Sequence, residues 1–303
     1  MSDFTPRAVT INVLKGGLGK STMTKNVAAV LSEVYDVLVM DLDDNGHLSK
    51  HLGFGDVYKG TTHFGDVVEE DSPEGFGDVI HRTEYGFDFI PSTDKIDEVK
   101  GKFNNQFSPV QVLKNELVDP LLGEVYDFIL FDTPANRSLM TKNAVVASRN
   151  LMVPLAPGKQ MTDGLDATIN RIYNELQDLG IPVNMLALVP NMIEKRIDHQ
   201  TPERELLEKI NTTDGIVEWV PNFARIPEEV WDAIDEGDLD SNPKPGIRKD
   251  KYVGLEPPVT HTAPENENVE YFRELARIIQ AGGVEREDGI TEELLKNHGK
   301  VAP

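Results

Sequence analysis

The feature that most restricts what this chain can fold into is a junction near its start. An apolar stretch, Ala8–Leu14, runs directly into Lys15-Gly16-Gly17-Leu18-Gly19-Lys20-Ser21-Thr22. Met23, Val27, Leu31 and Val34 then recur at helical spacing. A strand that empties through glycines into a helix is a cradle for phosphate. Glycine lets successive backbone N–H groups turn inward, and the helix N-terminus adds its dipole. In such a cradle Lys20 reaches the terminal phosphates and the Ser21 hydroxyl ligates Mg²⁺. The strict pattern for this loop carries a glycine at the position of Leu14 and has no special residue at the position of Lys15.

Further apolar runs end at the same kind of edge. Val37–Asp41, Phe87–Pro91, Phe128–Asp132, Asn150–Pro154 and Met185–Pro190 read as strands, several too apolar to alternate, as expected where both faces are buried. Helical patterns separate them, among them Leu165, Ile169, Ile172 and Leu176 after Thr162 as N-cap. Another helix opens at Thr201-Pro202. The fold class expected is α/β: a P-loop NTPase with a mostly parallel twisted sheet flanked by helices on both faces. Residues 55–84 read as surface connections and 237–268 as an irregular excursion before a last core helix at about 269–280. Residues 1–283 are expected to form a single domain, and 284–303 a mobile polar tail.

Carboxylates supply the rest of the expected site. The strand Val37–Met40 delivers Asp41, with Asp43 two residues on, and alternation would turn both toward the phosphate loop. Tyr126–Asp132 is a hydrophobic strand ending in an acid. An acid there suits the hydration shell of Mg²⁺, which keeps several waters and takes few protein ligands. His47 reads as a polar loop residue, with no second His or Cys spaced to join it in a metal site.

Charge and composition exclude other functions. The chain has 303 residues, with 30 Lys+Arg against 52 Asp+Glu and a net charge of −22. So acidic a surface suits a high-salt cytoplasm, such as a halophilic archaeon's, and repels nucleic acid except at local basic patches. The candidates for DNA contact are Lys195 with Arg196, and Arg248, Lys249 and Lys251. There is no cysteine, which rules out disulfides and thiolate-held metal clusters. The polar start MSDFTPR does not read as a signal peptide, and no apolar window is long enough for a transmembrane helix. A cytoplasmic protein is therefore expected.

The motif Lys15-Gly16-Gly17-Leu18-Gly19-Lys20-Ser21 resembles the deviant Walker A sequence of the ParA/MinD family of ATPases. Within that family the chain looks most like the Soj-type ParA partition proteins. GFDFIPS at 86–92 and LMVPLAPGKQMTDGLDATINRI at 151–172 resemble further elements of it. The resemblance implies ATP and Mg²⁺ as cofactors, with residues 15–22 around the nucleotide. It implies an ATP-sandwiched homodimer in which Lys15 reaches the partner's nucleotide. Asp43 would position the attacking water, Asp41 and Asp132 would hold Mg²⁺ through water, and Lys15 and Lys20 would be catalytic. Asn191 would contact adenine, with Pro221 and Asn222 walling the base. After Asp43 the family's Pro-Gln-Gly-Asn is here Asp44-Asn45-Gly46-His47, and after Asp132 its Pro-Pro is Thr133-Pro134-Ala135.

As a ParA-like ATPase the protein would bind DNA non-specifically, work with a centromere-binding or cargo adaptor, and associate with the nucleoid. A MinD-like membrane-cycling positioner would need a basic amphipathic helix. VEYFRELARIIQ reads as buried, and TEELLK is short and acidic. A metabolic P-loop synthetase would not need Lys15, and a slow nucleotide-binding scaffold would not need Lys20, Ser21, Asp43 and Asp132 together.

Overall fold

In a computed structural model, residues 5–68, 75–158, 164–165, 167–193, 201–206, 258–266 and 268–282 are described. Seven strands form one sheet: β1 Arg7–Ile11, β2 Val37–Asp41, β3 His81–Arg82, β4 Asp88–Ile90, β5 Phe128–Asp132, β6 Asn150–Leu155 and β7 Asn184–Pro190. Their order is β3-β4-β2-β5-β1-β6-β7. All pairings are parallel except that of β3 with β4. The strand order reverses around β1, so the crevice at its C-terminal end is where an open α/β sheet receives a ligand.

The uniformly apolar strands do alternate, but between two buried faces. Val9, Val37, Val39, Phe128 and Leu130 turn toward one face. There they meet Met23, Val27 and Leu31 of helix α1 (Lys20–Leu31), and Phe272, Leu275 and Ile279 of the helix Asn268–Ala281. Ala8, Leu38, Met40, Ile129 and Phe131 turn the other way, onto Ile96, Val99 and Phe103 and onto Met140 and Ala144. Pro154 is tolerated inside β6 because pairing with β1 stops at Met152.

Several expectations need correction. Val34 lies beyond the end of α1 and is exposed, because the helix stops at Leu31 and the chain turns away toward β2. Residues 55–84 are not merely surface connections. Among those described are helical turns at Gly55–Tyr58 and Phe76–Val79 and the antiparallel strand β3, and Tyr58, Phe64, Val68 and Val79 are buried. The start of β1 is one residue earlier than its apolar run, and its ladder ends at Ile11, where the chain leaves to build the loop. In the 237–268 excursion, residues 258–266 are described, and the Val259 N–H docks on Asn26 Oδ1 of α1 at 2.7 Å. Leu165, Ile172 and Leu176 are buried as expected, around a π-helical turn at Ile169–Tyr173, whereas Thr162 lies outside the described residues.

Arg7, at the root of β1, donates to the carbonyls of Ile279 at 2.6 Å and Gln280 at 3.1 Å. A guanidinium on the last carbonyls of a helix C-terminus also meets the favourable end of its dipole. We expect Arg7→Met to lower unfolding free energy by about 1–2 kcal/mol. Urea denaturation with an unchanged m-value would show it.

Candidate functional site

The loop after β1 turns on two glycines in the left-handed region, Gly17 at φ 76° and Gly19 at φ 88°, conformations an L side chain rarely adopts. A Cβ at Gly16 or Gly17 would meet nothing within 4 Å, so the backbone there faces open space. Two carbonyls of the loop are held from inside. The Lys15 carbonyl accepts from Lys20 Nζ at 3.4 Å, and the Leu18 carbonyl from Asn191 Nδ2 at 2.9 Å. With carbonyls turned inward and glycines outward, the loop is shaped to receive an anion.

Gly16, Gly17, Gly19, Lys20, Ser21 and Thr22 line a cleft of about 540 Å³. Asp43, Asp44, Asn45, His47 and His51 form its second wall, and Pro134, Ala135, Asn136 and Met192 complete it. The expected cradle residues and Asp43 are thus brought together. Leu18 instead buries its side chain in the core, and Lys15 is half-buried and does not line the cleft.

The acids divide by environment. Register places Asp132 of β5 level with Asp41 of β2, so two fully buried carboxylates sit side by side at the sheet edge. Burial raises both, Asp41 to about 6 and Asp132 to about 8. The neighbouring Asp41 charge adds to the rise at Asp132, and Ser21 and Lys20 oppose it. Asp41 does not face the cleft as alternation suggested. Its oxygens accept from the Asp43 N–H at 3.0 Å and from the Ser49 N–H and hydroxyl at 2.9 and 2.7 Å. Those three bonds offset its desolvation and turn it into the anchor of the loop that carries Asp43. Ser49 Oγ accepts from the Ser92 N–H, and Ser92 Oγ donates to the Asp43 carbonyl at 2.7 Å. Ile90-Pro91-Ser92 therefore locks that loop to β4.

Asp132 is the opposite case, since both its oxygens are buried without a hydrogen-bond partner. A buried carboxylate without a hydrogen-bond partner next to the Ser21 hydroxyl of the cradle is a donor set that fits Mg²⁺. Asp43 is different again. Burial pushes it up, but hydrogen bonds from Asn45 and the charge of Lys20 outweigh this and leave its carboxyl below the ordinary range. It is an ionised acid on the cleft wall. Burial pulls Lys20 down, against the raising charges of Asp132 and Asp43.

Other expectations fare unevenly. Asn191 has both polar ends engaged, its carbonyl accepting from the Met192 N–H at 2.9 Å, so this side chain braces the loop rather than facing the cleft. Met192 lines the cleft at φ 59°, an uncommon conformation for a bulky residue. His47 does have a second histidine in position. His51 stands one turn on, with ring centroids 6.3 Å apart and planes 23° from parallel, a partner that the four-residue spacing could have revealed. The substituted Thr133 bonds to the Ile11 carbonyl and to Asn12, tying the ends of β5 and β1 together. Pro221, Asn222, Lys195, Arg196, Arg248, Lys249 and Lys251 lie outside the described residues. Ser49 and Tyr58, whose hydroxyl donates to the Asp44 carbonyl at 2.7 Å, support the site without a sequence signal of their own.

Comparison with known proteins settles the family. The AAA_31 family model, an AAA domain, matches residues 6–181, more than half of the chain. The "Chromosome partitioning protein ParA" of Myxococcus xanthus is 29% identical over 202 residues, covering 65% of this chain and 69% of that one. The chain belongs to the ParA/MinD family of P-loop ATPases. The "Cell division protein PomZ" of the same organism is 29% identical over 180 residues, 58% of this chain and 54% of PomZ. Among solved structures, an ATP complex of Cyanothece McdA superposes with TM-score 0.66 at 19% identity, covering 93% of this chain and 98% of McdA. That last likeness concerns the fold.

The orphaned acid yields a prediction for this ParA/MinD-family chain. A carboxyl raised in the fold holds its proton more tightly than in the unfolded chain. Its contribution to stability therefore falls as pH climbs from the carboxylate range toward about 8. Asp132→Asn should raise the melting temperature of nucleotide-free protein, more at pH 8 than at pH 5. Melting curves at the two pH values would check this, and an equal shift at both would assign the effect to packing.

Proposed function

We propose that the protein is a partition or positioning ATPase that dimerises around ATP and binds DNA while ATP is bound. The observation that carries this is the cleft itself. Glycine N–H groups, Lys20 and Ser21 meet the ionised Asp43, with the partnerless Asp132 buried near Ser21.

Residues 16–22 would bind the phosphates through backbone N–H groups, and Lys20 would pair with their charge. Ser21, with Asp132 through water, would hold Mg²⁺, which neutralises phosphate charge when bound, while Asp41 anchors the loop that carries Asp43. Asp43 keeps its charge and stands on the cleft wall, which suits it to orient a water for in-line attack. Asn45 holds one of its oxygens, and the Ser49–Ser92 chain holds its backbone, so the acid is presented in a fixed place. Lys15 is assigned the role of reaching the partner's nucleotide from the family resemblance of the motif Lys15–Ser21. DNA, and a centromere-binding or cargo adaptor, follow from the family. The names of the M. xanthus relatives divide between chromosome partitioning and cell division. Among the described residues no helix is long and apolar enough to cross a membrane.

Two substitutions separate the steps. Asp43→Ala should leave ATP binding and dimerisation intact while turnover falls by roughly 100-fold or more, the protein persisting as the ATP dimer. Lys15→Ala should bind ATP through Lys20 yet lose dimerisation and hydrolysis together. ATPase rate and light scattering, measured side by side, decide between these outcomes. A Lys15→Ala protein that still dimerises and hydrolyses would remove the basis for the dimer. For DNA, reversing the charge of Arg248, Lys249 and Lys251 together should weaken ATP-dependent gel shifts at low salt while leaving ATP affinity unchanged.

A further inference from the structure

Lys15 is gripped from behind by a segment that contributes nothing to the cleft lining. On its N-terminal side the Leu14 N–H donates to Thr168 Oγ1 at 3.0 Å. On its C-terminal side its own carbonyl accepts from Lys20 Nζ at 3.4 Å. The Thr168 bond holds the backbone on the N-terminal side of Lys15 independently of nucleotide, and so restrains the direction in which the side chain leaves the loop. Thr168 is fully buried, and its hydroxyl is itself held, donating to the Gly164 carbonyl at 2.7 Å. A hydroxyl that both donates and accepts in a dry site has no remaining freedom to rotate.

Gly164 makes the second contact. It is buried and helical, and its α-carbon faces the root of Lys15. A Cβ there would lie 3.1 Å from Lys15 Cβ, 3.4 Å from Val13 Cγ2 and 3.7 Å from Leu18 Cδ1. The first of these is tighter than nearly all real contacts of a Cβ, so a methyl group would press on Lys15 before anything else. Nothing in the local backbone asks for glycine at this position, because φ is not in the left-handed region. Alanine would even favour the helix. The glycine is explained by the close approach to Lys15.

We propose that Gly164 and Thr168 are positioning residues for Lys15. The segment they begin continues through the buried Ile172 and Leu176, and it sets the angle at which the lysine leaves the loop toward a second subunit. The inference rests on the reading of Lys15 as the group that acts across the dimer. It adds that this action is governed by the segment after β6, and that phosphate binding by residues 16–22 is not.

The test uses the full chain with Gly164→Ala, Thr168→Val and Thr168→Ser, beside wild type and Lys15→Ala. Affinity for a fluorescent ATP analogue, ATP-dependent dimer fraction, kcat and melting temperature are measured for each. Gly164→Ala should melt near wild type and Thr168→Val a few degrees lower, since it strands the Leu14 N–H, and both should keep nucleotide affinity within about threefold. Their dimer fraction should fall, and kcat should drop by roughly tenfold or more. Thr168→Ser restores the hydroxyl and should stay close to wild type, which a purely packing role for the methyl group would not produce. If Gly164→Ala and Thr168→Val match wild type while Lys15→Ala does not, the positioning role is refuted and the dimer reading stands. Nucleotide affinity falling in step with kcat would also refute it, since the whole loop would then be disturbed. If Lys15→Ala itself behaves as wild type, the underlying reading fails and takes this inference with it.

Discussion

Two carboxylates buried side by side at the end of a parallel sheet are costly, because neither can be hydrated and the charge of Asp41 raises Asp132 further. The ends of β2 and β5 are held in register, so Asp41 and Asp132 have no way to separate. The protein settles the two in different ways. Asp41 is satisfied internally by Ser49 and by the Asp43 N–H, which converts its charge into the anchor of a loop. Asp132 is left without a partner beneath the phosphate cradle, with Ser21 and Lys20 the groups that act against its raised pKa. A buried acid left unsatisfied beside the Ser21 hydroxyl is the kind of group that a cation would satisfy.

The rest of the edge follows from that tension. Asp43 stays ionised against its burial through the Asn45 hydrogen bonds and the Lys20 charge, and its loop is fastened on both sides, by Asp41 through its N–H and by Ser92 through its carbonyl. Gly46 at φ 55° lets the chain turn under the Tyr58 ring, where a Cβ would come within 2.3 Å of a ring carbon. The Tyr58 hydroxyl then pins the Asp44 carbonyl. The loop before α1 is braced likewise, by Thr168 at Leu14 and by Asn191 at Leu18.

Much of this was legible in the amino-acid order. The strands Val37–Asp41 and Phe128–Asp132 came out with the boundaries their apolar runs predict, because a strand buried on both faces has no polar position at which to stop early. The phosphate loop was legible because glycine, lysine and serine are there for local backbone and phosphate chemistry, which spacing alone encodes. Residues 55–84 were misread because Gly, Asp and Glu are abundant both in loops and in short helical turns, and burial of Phe64 and Val68 depends on what packs over them. Val34 was misread for the converse reason, since helical spacing continues past the point where the sheet stops covering it.

The sequence by itself determined the sheet's strands, the cradle and the identity of the acids, since each depends on neighbours within a few residues. Only the tertiary structure decided which acid does what. Asp41 and Asp132 look alike in the sequence, each closing an apolar strand, and their difference comes from Ser49, eight residues past one and absent beside the other. Asn191 looked like a group for a ligand, and the fold spends it on Leu18. Gly164 and Thr168 looked like helix residues, and the fold sets them against Lys15 across more than a hundred residues of chain. Desolvation and close contact are properties of the space a side chain enters, and that space is built by elements distant in the sequence.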